Sequence, residues 1–344
     1  MNVHDKEALL EFYKNHLKNV LLPFWNRALD EDQGGVFTCF NNNGDILISH
    51  DKYTWSQGRL IWIWSKIADL CNNEMLDFDP NPYLRHAKLT ADFLLEHAFL
   101  PNGNCAFLLS KDGHYKESIS GAGYDTSFYA DCFVVLGLSC FSRINKSLKY
   151  LERALILYDS IIDRVKKGNL RSEPYPIAEG YRAHSVPMIL LNIASDLFES
   201  LQAFKHPKQN EFRKYCEVIV NEILTLYRKE DGLIAEMIPE DVRQFGSLLA
   251  RHINPGHTIE DMWFIIHAAK LFNYPEWINP AVESIAVSLN IGWDSEFGGL
   301  LRFVDKNGGK PTGMLISDPY EQLILDTWDT KLWWPHSEAL YATL

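Results

Sequence analysis

DEDQGGVFTCFNNNGD, residues 30–45, and DSEFGGLLRFVDKNGG, residues 294–309, share one design. Each opens on acidic residues, turns through Gly-Gly, alternates apolar residues and ends on an Asn/Asp/Gly turn. That pattern predicts a small β-hairpin. LPNGNCAFLLSKDGHY (100–115) and KEDGLIAEMI (229–238) are looser versions. Between these turns the apolar residues recur with a helical period. Over 5–22, Leu9, Leu10, Phe12, Tyr13, Leu17 and Val20 follow it, and Pro23 is expected to end the run. Further helical patterns cover 57–71, 82–98, 125–144, 146–166, 184–204, 208–227, 258–272, 277–290 and 335–344. About ten helices joined by similar turns predict an array of helical hairpins. Turns gathered at one rim favour a closed all-α barrel, with an inner and an outer ring. No Pro/Gly/Ser-rich linker interrupts the chain, so one domain over 1–344 is expected.

Composition narrows the function. With 47% hydrophobic residues the chain can bury a large core, and a net charge of −12 disfavours nucleic acid and anionic membranes. A small neutral molecule suits it better. The start, MNVHDKEALLEF, has no signal-peptide h-region, and no run is long enough to span a bilayer. The six cysteines show no CxxC spacing and read as reduced, mostly packed thiols of a cytoplasmic protein. Gly121-Ala122-Gly123 lacks a preceding strand and is no dinucleotide fingerprint.

Two stretches concentrate chemistry. In NPGHTIEDMWF (254–264), Asn254-Pro255-Gly256 is a turn, and Thr258 with Asp261 reads as a capping box. His257 then sits at a helix N-terminus, whose dipole favours a neutral, proton-accepting imidazole. Glu260 lies on the same face and could fix its tautomer. In KLWWPHSEAL (331–340), Pro335 suits a first helical turn, His336 follows, and Glu338 shares that turn. Trp333 and Trp334 read either as core or as site residues. Neither stretch has HExxH or a close His/Cys set, so a metal is weakly supported.

Other candidates are less specific. Arg59, in WSQGR (55–59), reads as a ligand for a sugar hydroxyl or a developing oxyanion, or equally as a surface arginine paired with an acid. His184 opens a helix and is a site residue or a cap. Tyr124 could line the same rim, and Asp125 is expected to be an N-cap. Trp263, Trp293 and Trp328 are expected in the core. His4, His50, His86 and His206 are expected on the surface.

Taken in order, WSQGR, SVPMILLN, NPGHTIEDMWF, FGGLLRF and KLWWPHSEAL resemble the N-acylglucosamine 2-epimerase family, from about residue 10 onward. The resemblance implies an (α/α)6 barrel with its pocket at one rim. It implies His257 and His336 as the acid/base pair, with Arg59 and Glu260 in support and no metal or redox cofactor. His184, Tyr124 and Trp334 complete the expected substrate-binding set. Two departures stand out. Many sugar epimerases and isomerases of this superfamily carry asparagine where this chain has Gly180. Relatives also continue past the WWPHSEA motif, so the chain, ending at Leu344, is expected to lack the last helices of the barrel.

The chemistry this implies is proton transfer at C2 of an open-chain sugar, through an enediol-type intermediate. Interconversion of N-acetylglucosamine and N-acetylmannosamine is the leading expectation. The same equipment would give aldose–ketose isomerisation, or 2-epimerisation of mannose, glucose or cellobiose. A glycoside hydrolase would need two facing carboxylates, with Glu260 and Asp125 as weak candidates. A non-catalytic helical scaffold would show an open groove instead. A sugar is the expected partner, and a homodimer is left open.

Overall fold

The structure, a computed structural model, describes residues 6–344. The expectations for His4 and for the first residue of the 5–22 run lie outside them. The chain divides into two compact units, one ending at Ser172 and the other running from Glu173 to Leu344.

The first unit holds helices α1 (Lys6–His16), α2 (Leu22–Asn26), α3 (Thr54–Asn72), α4 (Asn81–His97), α5 (Phe128–Ile144) and α6 (Leu148–Lys166). Pro23 does not end the first run. A π-helical turn, Leu17–Leu21, carries the chain into α2, with Pro23 in its first turn. There the missing proline N–H leaves no helical bond unmade.

Helix α5 is buried along nearly its whole length, whereas α6 buries only one stripe, including Leu151, Leu155, Tyr158 and Ile162. These are the signatures of a helix enclosed by neighbours and of one with a wet face. α3 packs against both α4 and α5. Two glycines bring α3 and α5 close: a Cβ on Gly137 would lie 2.4 Å from the Gly58 carbonyl oxygen, and one on Gly58 would lie 2.3 Å from that of Phe133.

The short strands of this unit are β1 (Cys39–Phe40), β2 (Leu47–Ser49), β3 (Lys52–Tyr53), β4 (Leu108–Leu109) and β5 (Tyr115–Lys116). β1 pairs with β2, and β3, β4 and β5 form an antiparallel sheet. Lys52 is fully buried. Its Nζ donates to Asp30 (2.9 Å) and to the carbonyls of Gly34 (2.6 Å) and Lys111 (2.8 Å), which pins the first Gly-Gly turn.

The second unit holds β6 (Tyr181–Ala183), α7 (Ser185–Ala203), α8 (Gln209–Glu222), β7 (Met237–Pro239), α9 (Leu248–Arg251), β8 (His252–Ile253), α10 (Pro255–Phe272), α11 (Ile278–Gly292), β9 (Val304–Asp305), α12 (Pro319–Thr327) and α13 (Trp333–Thr343). A second π-helical turn, Ile223–Tyr227, extends α8. α7 pairs with α8, and α10 packs against α7, α11 and α13. β6 pairs with β7. The hairpin expected within 294–309 does not form, because β9 pairs with β8. The Asn307-Gly308-Gly309 turn closes on Asp305 itself, whose carboxylate is held by Arg251 (2.7 and 3.1 Å).

The repeated turn is real and occurs four times among the described residues. A residue at or just beyond a helix end bridges one across a glycine turn: Leu29 to Val36, Phe99 to Cys105, Arg228 to Ile234, and Trp293 to Leu300. Each turn has a glycine at positive φ (Gly34, Gly103, Gly232, Gly298) whose N–H closes back on a carbonyl.

Candidate active site at the start of helix α10

Helix α10 begins earlier than its sequence suggests. Asn254 is the N-cap, accepting the His257 N–H at 3.2 Å, and Pro255 takes the first helical position. Thr258 and Asp261 therefore form no capping box. Asp261 points inward and is fully buried.

Four charged side chains line up here. His257 Nδ1 donates to Glu236 Oε1 at 2.7 Å. The other Glu236 oxygen lies 3.7 Å from His184 Nδ1, and His184 Nε2 bonds Asp261 Oδ2 at 2.7 Å. His184, Glu236 and Asp261 are all buried, and His257 keeps a quarter of its side-chain surface exposed. His184 holds the N-cap position of α7, but its side chain makes no capping bond and turns into this buried row.

The neutral His257 expected from the helix dipole is not what the surroundings favour. Burial works against its charged form, but the Glu236 carboxylate outweighs burial and raises its pKa above the ordinary value, with Glu260 adding a smaller push. Glu236, rather than Glu260, fixes the tautomer. Burial would raise Glu236, yet His257 and His184 together hold it well below the usual carboxylate range. His184 resists burial in the same way, raised to about 9 by Asp261 and Glu236. Fully buried His252 differs: burial lowers its pKa, and its Nδ1–H donates to the Leu249 carbonyl (2.7 Å).

Because Nδ1 of His257 carries its proton towards Glu236, Nε2 is the nitrogen with a lone pair when the ring is neutral. Among the described residues nothing hydrogen-bonds to Nε2. The Trp334 ring lies beside the His257 ring, with centroids 5.6 Å apart. α10 and α13 meet so closely that a Cβ on Gly256 would lie 2.6 Å from the Trp334 ring. Trp263 Nε1 donates to Glu338 at 2.8 Å and ties the same two helices.

His336 is near but differently placed. Its Nδ1 donates to the Leu332 carbonyl (2.6 Å) and its Nε2 accepts the Leu300 N–H (2.9 Å). Both nitrogens are committed to backbone. The fourth residue of α3, Gln57, accepts the Val36 N–H at 2.7 Å. The fourth residue of α5, Asp131, accepts the Cys105 N–H at 2.7 Å. His336 is the fourth residue of α13, and Leu300 stands in its turn where Val36 and Cys105 stand in theirs. Three different side chains make one structural bond.

Arg59 and Tyr124 belong to the first unit. The Arg59 guanidinium lies over the Phe133 ring (4.4 Å) and near Trp55 (5.6 Å), and Tyr124 rests beside Tyr115 (5.5 Å). Asp125 is no cap. It accepts from Asn102, Asn104 and Arg171, and Ser127 precedes α5 instead. Trp293 and Trp333 are exposed, the latter 78%, and His86 is buried against Trp64. Five of the cysteines are buried and all six are free. Among the described residues no group of three or more His, Cys, Asp or Glu is arranged for a metal ion, and no helix is long and apolar enough to cross a membrane.

Sequence reasoning missed Glu236. The available signal was a lone carboxylate inside the apolar run LIAEMI, where every residue is buried. A charge in such a run needs a partner.

The chain is similar to several known proteins. The N-acylglucosamine 2-epimerase of Mus musculus is 28% identical over 360 residues, covering 99% of this chain and 77% of that protein. The cellobiose 2-epimerase of Dictyoglomus turgidum is 22% identical over 375 residues, covering 99% and 82%. Among solved structures, a cellobiose 2-epimerase from Bacillus thermoamylovorans superposes with a TM-score of 0.73 at 16% identity, covering 98% of this chain and 81% of that one. At that identity the likeness speaks for the fold, an (α/α)6 barrel of paired helices with short antiparallel sheets. The sequence pattern of one family matches residues 35–344, and the chain belongs to it: the N-acylglucosamine 2-epimerase (GlcNAc 2-epimerase) family.

Proposed function

We propose that the protein is a carbohydrate 2-epimerase that interconverts N-acetylglucosamine and N-acetylmannosamine, with His257 exchanging the C2 proton. The family and its N-acylglucosamine relatives support the reaction. One observation carries the role of His257: its Nδ1–H is held by Glu236 while Nε2 stays open in a partly exposed site.

In the open-chain sugar the C1 carbonyl acidifies the C2–H. Neutral His257 takes that proton on Nε2, and the electron pair moves into the C1–C2 bond, leaving an enediolate with its charge on O1. Glu236 keeps the ring oriented and stabilises the imidazolium that forms. Inversion then needs a proton delivered to the opposite face of C2. In this reading His336, bound to backbone at both nitrogens, pins its turn instead.

The test is NMR of the protein in heavy water with N-acetylglucosamine, N-acetylmannosamine, mannose, glucose and cellobiose. Conversion between the two N-acetyl sugars, with one deuterium at C2 of the product, is expected. A ketose product would move the assignment to aldose–ketose isomerisation, and turnover of cellobiose or glucose alone would move the substrate. No exchange at C2 of any sugar would overturn proton transfer.

A further inference from the structure

The Asp261–His184 pair is not needed to hold His257, yet it is buried at high cost directly behind Glu236. We propose that His184 and Asp261 are positioning residues: a buried pair of opposite charges that fixes the Glu236 carboxylate and sets how tightly it holds the His257 proton. This rests on the reading of His257 as the proton-transfer group.

The geometry is a ladder of alternating sign. Asp261 is 2.7 Å from His184, His184 is 3.7 Å from Glu236, and Glu236 is 2.7 Å from His257. His184 Nδ1 and Asp261 Oδ1 have no hydrogen-bond partner. The His184–Glu236 step is therefore coulombic, which lets it act on charge without fixing the proton on His257. Such a pair could be replaced by apolar residues with little loss of stability, so a role beyond stability accounts better for its place behind the site.

Other charges lie on the elements around the ladder. Glu260 lies on α10 itself, and buried His252 stands near Glu236. The Tyr227 ring is 5.5 Å from that of His184. From α13, His336 is bound to backbone and Glu338 to Trp263. On α11, Glu283 is held by Arg228, and on α8, Glu217 by Arg213 and Tyr274. His184 and Asp261 stand in line behind Glu236 with opposite charges, so their removal should act on His257 in opposite senses.

The experiment follows the His257 imidazole by NMR in histidine-labelled protein, beside the pH profile of C2 proton exchange. His184→Gln leaves Glu236 uncompensated and should move the His257 midpoint up by about one pH unit. Asp261→Asn leaves His184 unbalanced and should move it down by a similar amount. The double variant should return close to wild type. Shifts in one common direction, or none in folded variants, would overturn the proposal.

A wild-type measurement guards against variants that do not fold. At pH 8 the two His184 nitrogens should both carry protons, and a neutral His184 there would also overturn it. If the His257 midpoint moves as expected while the exchange profile stays put, the ladder stands and the catalytic reading of His257 fails.

Discussion

His257 has one nitrogen committed and the other open, and the proposed role as a base rests on that asymmetry. His257→Ala should lower C2 exchange by about 10²–10⁴-fold with the helical content unchanged, checked by NMR turnover and circular dichroism. His336 predicts the reverse pattern. His336→Gln supplies an oxygen where Gln57 supplies one in the first turn, so activity and melting temperature should stay near wild type. His336→Ala strands the Leu300 N–H and should cost about 1–3 kcal/mol, read from urea unfolding. His184 adds a pH signature. Its pKa is raised from 6.5 to about 9 on folding. A group held more tightly protonated in the native state stabilises it fully below the unfolded value and loses that contribution as pH climbs through the folded one. The melting temperature should therefore fall between pH 6.5 and about 9, and His184→Gln should flatten that fall. Both histidine motifs could be read from the chain because histidines beside turn residues are conspicuous. Their different hydrogen-bond partners could not, since these are Glu236, which stands outside every motif, and Leu300, whose motif FGGLLRF gives no sign of a bond to His336.

At the scale of single elements, the long helices follow from apolar periodicity, and their ends do not. α10 starts at Pro255 because Asn254 caps it, a signal outweighed in sequence by the apparent Thr258–Asp261 box. α12 is absent from the sequence expectation although Asp318 and Glu321 make a full capping box with Pro319 between them, because it is short and its apolar stripe is thin. Pro23 was read as a stop, but a π-helical turn passes it on. The contact between α3 and α5 gives the sharpest test. Gly137→Ala would push a methyl to 2.4 Å from the Gly58 carbonyl. The helices must separate, and a loss of about 1–3 kcal/mol is expected in thermal unfolding, as for overpacked cores. Ordinary helix propensity predicts the opposite sign for glycine-to-alanine, so the direction of change decides.

Across the whole molecule, the fold class was legible because similar turns recur between helical runs, and the family because five motifs stand in order. Strand pairing was not, since β9 finds its partner across a large sequence gap. The net charge of −12 bears on the substrate. A neutral sugar feels little long-range field, so kcat/KM should change less than about twofold between low and physiological salt. A steep salt dependence would instead indicate a charged sugar. The turn pins carry a consequence for recognising the internal symmetry. An amide, a carboxylate and an imidazole occupy corresponding helical positions at 57, 131 and 336, and all that is shared is a lone pair at the right height. Alignment by residue identity scores these three columns as unrelated. A substitution matrix weighted by acceptor capacity would detect the kinship of the repeats where ordinary comparison of letters finds only their glycines.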